Sequence, residues 1–206
     1  MRQTLYSSRS NLYIGFHGCD KSVAEYILHG GSLRPSKNDY DWLGHGVYFW
    51  ENNEQRAFQF AQESAQRKTS SIKDPFVLGA VIDLGYCLDL TDMSCLAEIR
   101  QSYKALKDAF ELVGKDLPIN KRIGDSGDYL LRSLDCAVIE YEHAINLKAG
   151  VKSFDSVRGV FVEGKELYPG GGIMEKNHIQ ICVRNPNCIK GYFLPRQKDD
   201  TYSNPE

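Results

Sequence analysis

Short stretches of alternating or continuous apolar residues predict six strands. In LYIGFHG, residues 12–18, Leu12, Ile14 and Phe16 alternate with smaller or polar residues, as in a strand with one buried face. The run FVLGAVIDLG, residues 76–85, is apolar almost throughout and gives the strongest signal for a buried strand. The other predicted strands are residues 46–50, 156–164, 178–184 and 188–195.

Apolar residues at helical spacing predict four helices between these strands, over residues 21–31, 54–68, 91–113 and about 129–143. Ser22 is the expected cap of the first helix, and Asn52 or Asn53 of the second. Because neither a repeat nor a linker interrupts the pattern, we expect one α+β domain over residues 1–206. The polar tail, residues 196–206, is expected to be flexible.

The composition is that of an ordinary globular chain and changes this picture little. Of 206 residues, 42% are hydrophobic and 25% are charged, with a net charge of −2. Such a balance gives no overall attraction to nucleic acid or membranes, although a local groove for RNA or DNA needs few basic residues. No apolar run has the length of a membrane span, and MRQTLYSSRSNLYIGF lacks a secretory signal. We therefore expect a cytoplasmic protein.

The cysteines do not indicate a metal centre or a disulfide scaffold. No CxxC pair and no HExxH motif occurs in the sequence. His178, Cys182 and Cys188 have a spacing that fits no common zinc module. The expected state is therefore six free thiols and no metal.

Two glycine-rich stretches fail the test for a phosphate-binding loop. GHG at 44–46 and GGG at 170–172 each precede a predicted strand. Dinucleotide and P-loop sites require a strand, then glycines, then the start of a helix. Neither stretch has that order, so both interpretations are rejected.

A cluster of aromatic residues supplies the main functional signal. Tyr48, Phe49 and Trp50 follow GHG, and alternation along a strand leaves part of the cluster facing outwards. Earlier, His17 and Gly18 end the first predicted strand. The order of strand, His-Gly, helix ending at glycine, loop and Gly-x-Gly-Val-Tyr-Phe resembles the NAD-binding half of diphtheria-toxin-like ADP-ribosyltransferases and poly(ADP-ribose) polymerases. This resemblance is specific over residues 12–61 and weaker beyond.

The resemblance implies a fold and a set of NAD⁺ contacts. The fold is an ADP-ribosyltransferase-like split antiparallel sheet flanked by helices. Main-chain groups of Gly18 would pair with the nicotinamide amide, and His17 would bind a ribose hydroxyl of the adenosine half. Tyr48 would stack on nicotinamide, with the nearby glycines allowing close approach of the cofactor.

A second aromatic residue of the family lies on the following helix and completes the sandwich around nicotinamide. Counting without gaps reaches Gln59, which lies between Phe58 and Phe60. The resemblance therefore favours Phe60, with Phe58 as the alternative.

The third family element is a glutamate on a late strand, and this chain departs from it. When the end of this late strand is aligned with the family pattern, Gln180 occupies the place of the glutamate. The Gln side chain is uncharged and cannot supply negative charge to the oxocarbenium-like transition state. Glu175, in the preceding loop, is the best candidate to replace the lost carboxylate, ahead of Glu163 and Glu166. His178 lies two residues before Gln180 and so faces the same side of a strand.

These features predict an NAD⁺-dependent mono-ADP-ribosyltransferase that needs no metal. When the bond between nicotinamide and ribose breaks, positive charge develops on the sugar and nicotinamide leaves as a neutral molecule. The site must therefore bind the nicotinamide amide, stack on the nicotinamide ring, hold the ribose and stabilise its positive charge. The expected acceptor is a macromolecule, either protein or RNA/DNA. A small bacterial enzyme of this kind would act as a toxin or defence effector, with a neutralising antitoxin-type partner. Two alternatives stay open, which are a weakly catalytic NAD or ADP-ribose binding module and an NAD⁺ glycohydrolase.

Overall fold

A computed structural model describes residues 12–122 and 129–203 of the chain. The helices are α1 (Lys21–Leu28), α2 (Glu54–Ala65), α3 (Met93–Leu112) and α4 (Ser133–Lys148). The strands are β1 (Leu12–Asp20), β2 (Val47–Glu51), β3 (Pro75–Asp83), β4 (Cys87–Asp89), β5 (Asn120–Arg122), β6 (Tyr129–Arg132), β7 (Ser156–Phe161), β8 (His178–Val183) and β9 (Ile189–Phe193). Within the described ranges, none of the helices is long and apolar enough to cross a membrane.

Seven strands form one sheet in the order β4-β7-β8-β2-β1-β3-β9, and β5 and β6 form a separate pair. Neighbouring strands of the sheet are antiparallel except for β4 and β7, which are parallel. Helices flank both faces of this mostly antiparallel sheet. The predicted single α+β domain is therefore confirmed.

The sheet is weakest where β1 meets β2. These strands pair only at Gly15↔Glu51 and Phe16↔Trp50, whereas β1 pairs with β3 along its whole length from Leu12 to Asp20. Beyond Phe16 the two strands separate. The junction divides β4-β7-β8-β2 from β1-β3-β9, and the candidate site lies beside it.

Both faces of the sheet are buried, but by different elements. On one face, Phe49 and Ile181 join a core cluster, and α1 buries Ala24 and Ile27 against β3. On the other face, α2 buries Ala57 against Trp50. Because successive residues of a strand face opposite sides, the β2 aromatics are divided between the two layers.

Most predicted elements are confirmed, with four local corrections. Asp20, not Ser22, caps α1, since its side chain accepts a hydrogen bond from the Ser22 N–H at 3.0 Å. Asn53 caps α2, as one of the two alternatives predicted. The helix expected from about residue 129 begins instead at Ser133, after the short strand β6. Strands β4 and β5, with three residues each, had no predicted counterpart, and β5 lies in a segment expected to be a loop.

The contact between α3 and α4 contains a pair of neighbouring carboxyl groups. Glu142 is buried and accepts hydrogen bonds from Ser102 and Asn146. Burial, followed by hydrogen bonding to Glu142 and repulsion from its charge, raises the pKa of Glu98 from 4.5 to about 7. Folding therefore favours the protonated form of Glu98.

We expect the contribution of Glu98 to the stability of the fold to decrease as pH rises from about 4.5 to about 7. A raised folded-state pKa contributes stability that is complete below the unfolded value and is lost as pH rises through the folded value. Glu98 is partly exposed, so solvent screening limits the change to about 1 kcal/mol. Urea unfolding of wild type and Glu98→Gln at pH 5 and pH 7.5 measures it, because wild type should lose about 1 kcal/mol relative to Glu98→Gln between these two pH values. An equal difference in both proteins would contradict this assignment.

Candidate functional site

His17 lies on β1 at the point where β1 and β2 separate. Its Nδ1 is 2.8 Å from the main-chain oxygen of Tyr48, and burial lowers the pKa of the imidazole. A carbonyl oxygen only accepts hydrogen bonds, so the neutral ring carries its proton on Nδ1. The other nitrogen, Nε2, is thereby left as a hydrogen-bond acceptor.

Gly18 is buried directly beneath α2. A Cβ atom at this position would lie 2.1 Å from the main-chain oxygen of Ala57 and 3.4 Å from the Cβ of Ala61. The residue must therefore be glycine for α2 to rest on β1. This helix contact is a reason for glycine that the sequence did not reveal.

Tyr48 uses its hydroxyl group to hold the turn that precedes β2. The hydroxyl donates to the oxygen of Gly44 at 2.8 Å and accepts from the Leu43 N–H at 3.0 Å. The ring packs beside the core cluster that contains Leu43 and Cys182, whereas the ring of His17 lies 5.8 Å from that of Phe49. The two predicted residues thus meet at one junction, through the Tyr48 main chain rather than through their rings.

The glycines before Tyr48 also have a packing role. Gly44 has φ +76°, and a Cβ there would lie 2.5 Å from a carboxylate oxygen of Glu140. At Gly46 a Cβ would lie 2.6 Å from the oxygen of Val183. The glycines allow the turn to pack against α4 and β8, which is a different reason from the close approach of a cofactor proposed from the sequence.

Gln180 lies on β8 opposite Trp50 of β2. Its side chain is buried, and its Oε1 accepts a hydrogen bond of 2.6 Å from the indole N–H of Trp42. Trp42 lies over Gly159, where a Cβ would be 2.8 Å from the indole. The guanidinium of Arg132 lies 4.8 Å from the centre of the same indole ring.

His178 is the other buried polar residue at this end of β8. Its Nδ1 is 2.6 Å from the oxygen of Lys176, and its ring stacks on Phe161 with centroids 5.4 Å apart. Burial lowers its pKa, so the ring is neutral at pH 7. Its Nε2 is buried without a hydrogen-bond partner among the described residues.

A surface depression of about 490 Å³ lies between α2 and the segment before β8. Its lining residues are Asn53, Gln55, Arg56, Phe58, Gln59, Gln62, Glu175, Lys176 and Asn177. Two predicted site residues, Phe58 and Glu175, are thus brought together. Phe60, which the sequence favoured, packs against Trp50 with ring centroids 4.8 Å apart. The aromatic ring available at the depression is therefore that of Phe58, which is 40% exposed.

Ion pairs beneath the depression engage Glu163. Arg56 is buried, and its Nη2 donates to Glu163 at 2.9 Å. Lys176 pairs with Glu63 at 2.8 Å and lies 3.9 Å from Glu163. Glu166 accepts a hydrogen bond from the Gly170 N–H within its own loop. Neither Glu163 nor Glu166 lines the depression, whereas Glu175 does.

Sequence reasoning missed Trp42, Arg56 and Trp50 as parts of this site. Trp42 is an apolar residue in a polar loop, which was a usable signal. The indole N–H of Trp50, like Nε and Nη1 of Arg56, is buried without a hydrogen-bond partner in the described part of the chain. Across residues 12–122 and 129–203, no group of three or more His, Cys, Asp or Glu residues is arranged to hold a metal ion.

Comparison with known proteins finds one distant relative. The chain is 27% identical over 191 residues to the uncharacterized protein MJ0359 of Methanocaldococcus jannaschii, a match that covers 85% of this chain and 83% of the relative. No family model matches the chain. No solved structure matches it either.

Proposed function

We propose that the chain is an NAD⁺-dependent mono-ADP-ribosyltransferase with the split-sheet fold of that enzyme class. The observation that carries the proposal is the hydrogen bond from His17 to the Tyr48 main chain, made where β1 and β2 separate. It joins the two motifs on which the sequence resemblance depends. Gln180, the third motif position, lies one strand further on, opposite Trp50.

The chemistry assigned to His17 follows from its fixed tautomer. With the proton held on Nδ1, the Nε2 atom accepts a hydrogen bond from a ribose hydroxyl of NAD⁺. This contact holds the sugar while the bond to nicotinamide breaks and positive charge develops on the anomeric carbon. Nicotinamide leaves with the bonding electrons as a neutral molecule, so the site needs no general acid.

In this proposal Glu175 acts as the general base for the acceptor of ADP-ribose. Its carboxylate is on the exposed rim of the depression, where it can take the proton that the acceptor nucleophile loses. Gln180 cannot perform that step because its amide does not accept protons at neutral pH. In this proposal Glu175 therefore acts on the acceptor, and the motif residues act on the ADP-ribose donor, NAD⁺.

One observation favours a second candidate, a module that binds NAD⁺ or ADP-ribose without turnover. Gln180 is neutral and its carbonyl oxygen is engaged by Trp42. Without a carboxylate at this position, an oxocarbenium-like transition state loses a charge-assisted contact worth about 1.5–3 kcal/mol.

Incubation of the purified protein with NAD⁺ labelled in the adenosine half separates these functions. We expect nicotinamide release accompanied by label in the macromolecular fraction of a cell lysate, since transfer consumes both substrates. Protein and nucleic acid are digested separately to identify the acceptor. Free labelled ADP-ribose without transfer would indicate a glycohydrolase. Binding with no release of nicotinamide would support the module and overturn the transferase proposal.

A further inference from the structure

Trp42 lies against the third motif position, Gln180, and is held there by contacts on several sides. Its indole N–H donates to Oε1 of Gln180 at 2.6 Å, and both side chains are buried. Strand β7 leaves room for the ring, because Gly159 is the direct partner of Gln180 on that strand and a Cβ there would lie 2.8 Å from the indole. The position of Trp42 therefore depends on the same strand pair that holds Gln180.

The indole of Trp42 also contacts an aromatic ring and a cation. The ring of Phe161 is 5.1 Å away between centroids, and the guanidinium of Arg132 lies 4.8 Å from the centre of the indole and 5.6 Å from that of Phe161. Arg132 is itself fixed by an ion pair with Asp135. A cation over an indole is attracted to the ring and draws electron density from it, which strengthens the N–H as a donor. Arg132 thus supports the contact between Trp42 and Gln180.

We infer that Trp42 is a positioning residue for Gln180 and that Arg132 positions Trp42. The two ends of a glutamine amide have nearly the same shape, so packing alone does not select between its two flipped orientations. The indole N–H can only donate, and it therefore selects the orientation with Oε1 towards Trp42. The side chain is thus held in one arrangement before NAD⁺ binds. The inference rests on the proposed function, in which Gln180 lies beside the sugar of NAD⁺.

Arg132 connects the separate strand pair β5–β6 to this site. It is the last residue of β6, whereas Trp42 lies in the loop before β2 and Gln180 lies on β8. The contacts from Arg132 through Trp42 to Gln180 thus join three segments that are distant in the sequence. A substitution in β6 that removes the guanidinium should therefore alter the third motif position without touching a motif residue.

Nuclear magnetic resonance tests the contact without NAD⁺, because the chain has two tryptophans and hence two indole N–H signals. Trp42→Phe removes one signal and so assigns it. Gln180→Met keeps the length of the side chain and removes the amide oxygen, so it should move the Trp42 signal upfield. Gln180→Glu keeps an acceptor oxygen and should leave the signal downfield. A Trp42 signal that Gln180→Met leaves unchanged or moves downfield would overturn the inference.

A double-mutant cycle on nicotinamide release tests the positioning role. Trp42→Phe keeps an aromatic ring and removes the N–H, and we expect kcat/KM to fall about tenfold because Gln180 is no longer held in one orientation. In a Gln180→Met background the same change should cost less than about twofold, since the group through which Trp42 acts is gone. Urea unfolding of each protein measures structural damage separately. An equal loss in both backgrounds would show that Trp42 does not act through Gln180 and would overturn the inference.

Arg132→Met is a second variant, and it leaves Trp42 in place. It removes the cation but keeps an apolar side chain beside the indole, and we expect kcat/KM to fall about threefold in wild type and not in Gln180→Met. Arg122→Met is the matched control, because Arg122 lies in the same strand pair but over the ring of Tyr129, at 4.5 Å. It should retain the turnover of wild type. An equal loss with both arginine variants would contradict the role of Arg132.

Failure of this inference can be distinguished from failure of the proposed function. If wild type released no nicotinamide, the transferase proposal would be rejected together with the role of Trp42 in turnover. The indole signal would then still decide whether Trp42 fixes the Gln180 amide. If wild type released nicotinamide and Trp42→Phe kept kcat/KM within about twofold, only the positioning role would be overturned.

Discussion

Changing His17 to asparagine should reduce nicotinamide release from NAD⁺ by at least about 100-fold, about 2.7 kcal/mol of transition-state stabilisation. The amide N–H₂ of asparagine can replace Nδ1–H as donor to the Tyr48 oxygen, so the junction between β1 and β2 is kept. The substitution removes the Nε2 acceptor that the proposed function assigns to a ribose hydroxyl of NAD⁺. Steady-state release of nicotinamide, with urea unfolding in parallel, measures the two effects separately.

His29 provides a matched control for this substitution. Its Nδ1 also contacts a main-chain oxygen, that of Glu25 at 2.7 Å, but the residue is exposed at the end of α1. His29→Asn should therefore leave NAD⁺ cleavage unchanged. If His17→Asn retained cleavage within about threefold of wild type, the ribose contact and the motif interpretation would both be rejected.

Changing Gly18 to alanine should lower the free energy of unfolding by about 3 kcal/mol or more. The new Cβ would lie 2.1 Å from the Ala57 oxygen, and a main-chain atom of a helix cannot move aside as a flexible side chain can. Helix α2 would be pushed off β1, which would also displace Phe58 and Arg56. Denaturant unfolding measures the loss of stability.

Gly191→Ala is the control for the general effect of alanine in a strand. Gly191 lies on β9 of the same sheet, and nothing lies within 4 Å of a Cβ placed there. We expect its unfolding free energy to stay within about 0.5 kcal/mol of wild type. A Gly18→Ala protein as stable as Gly191→Ala would show that α2 does not rest on β1 in this way.

Most strands could be predicted because the alternation of apolar and polar residues is visible within a short segment. The exceptions are elements that depend on contacts between segments far apart in the sequence. Strand β4 has three residues, Cys87–Asp89, too few for a periodic signal. Strand β6 precedes α4 without a break, and its apolar residues continue the helical pattern. The boundary at Ser133 depends instead on pairing between β6 and β5, which are separated in the sequence.

The candidate site was partly readable from the same patterns. The order of His17 and Tyr48 pointed to the junction between β1 and β2, where the structure joins the His17 ring to the main chain of Tyr48. The choice between Phe58 and Phe60 could not be made from Ala57 and Ala61, because at 3.6 residues per turn both phenylalanines lie equally far from the middle of that buried pair. The structure distinguishes them by the contact of Phe60 with Trp50 and by the exposure of Phe58.

The partner of Gln180 could not have been predicted. Trp42 and Gln180 are 138 positions apart, and no local pattern in either segment refers to the other. Their contact depends on the turn before β2 folding across β8. That arrangement in turn depends on Gly44, Gly46 and the hydroxyl of Tyr48, whose packing appears only when strands distant in sequence are adjacent.

The contact between Trp42 and Gln180 sets the polarity of the third motif position. An indole N–H can only donate, so the oxygen of the Gln180 amide must point towards Trp42 and its –NH₂ group is turned away. A sugar hydroxyl that meets this side chain would receive a hydrogen bond, whereas the glutamate of the enzymes that the chain resembles would accept one. In the proposed NAD⁺ site, this side chain would therefore donate to a sugar oxygen, and the hydroxyl proton would need a different acceptor.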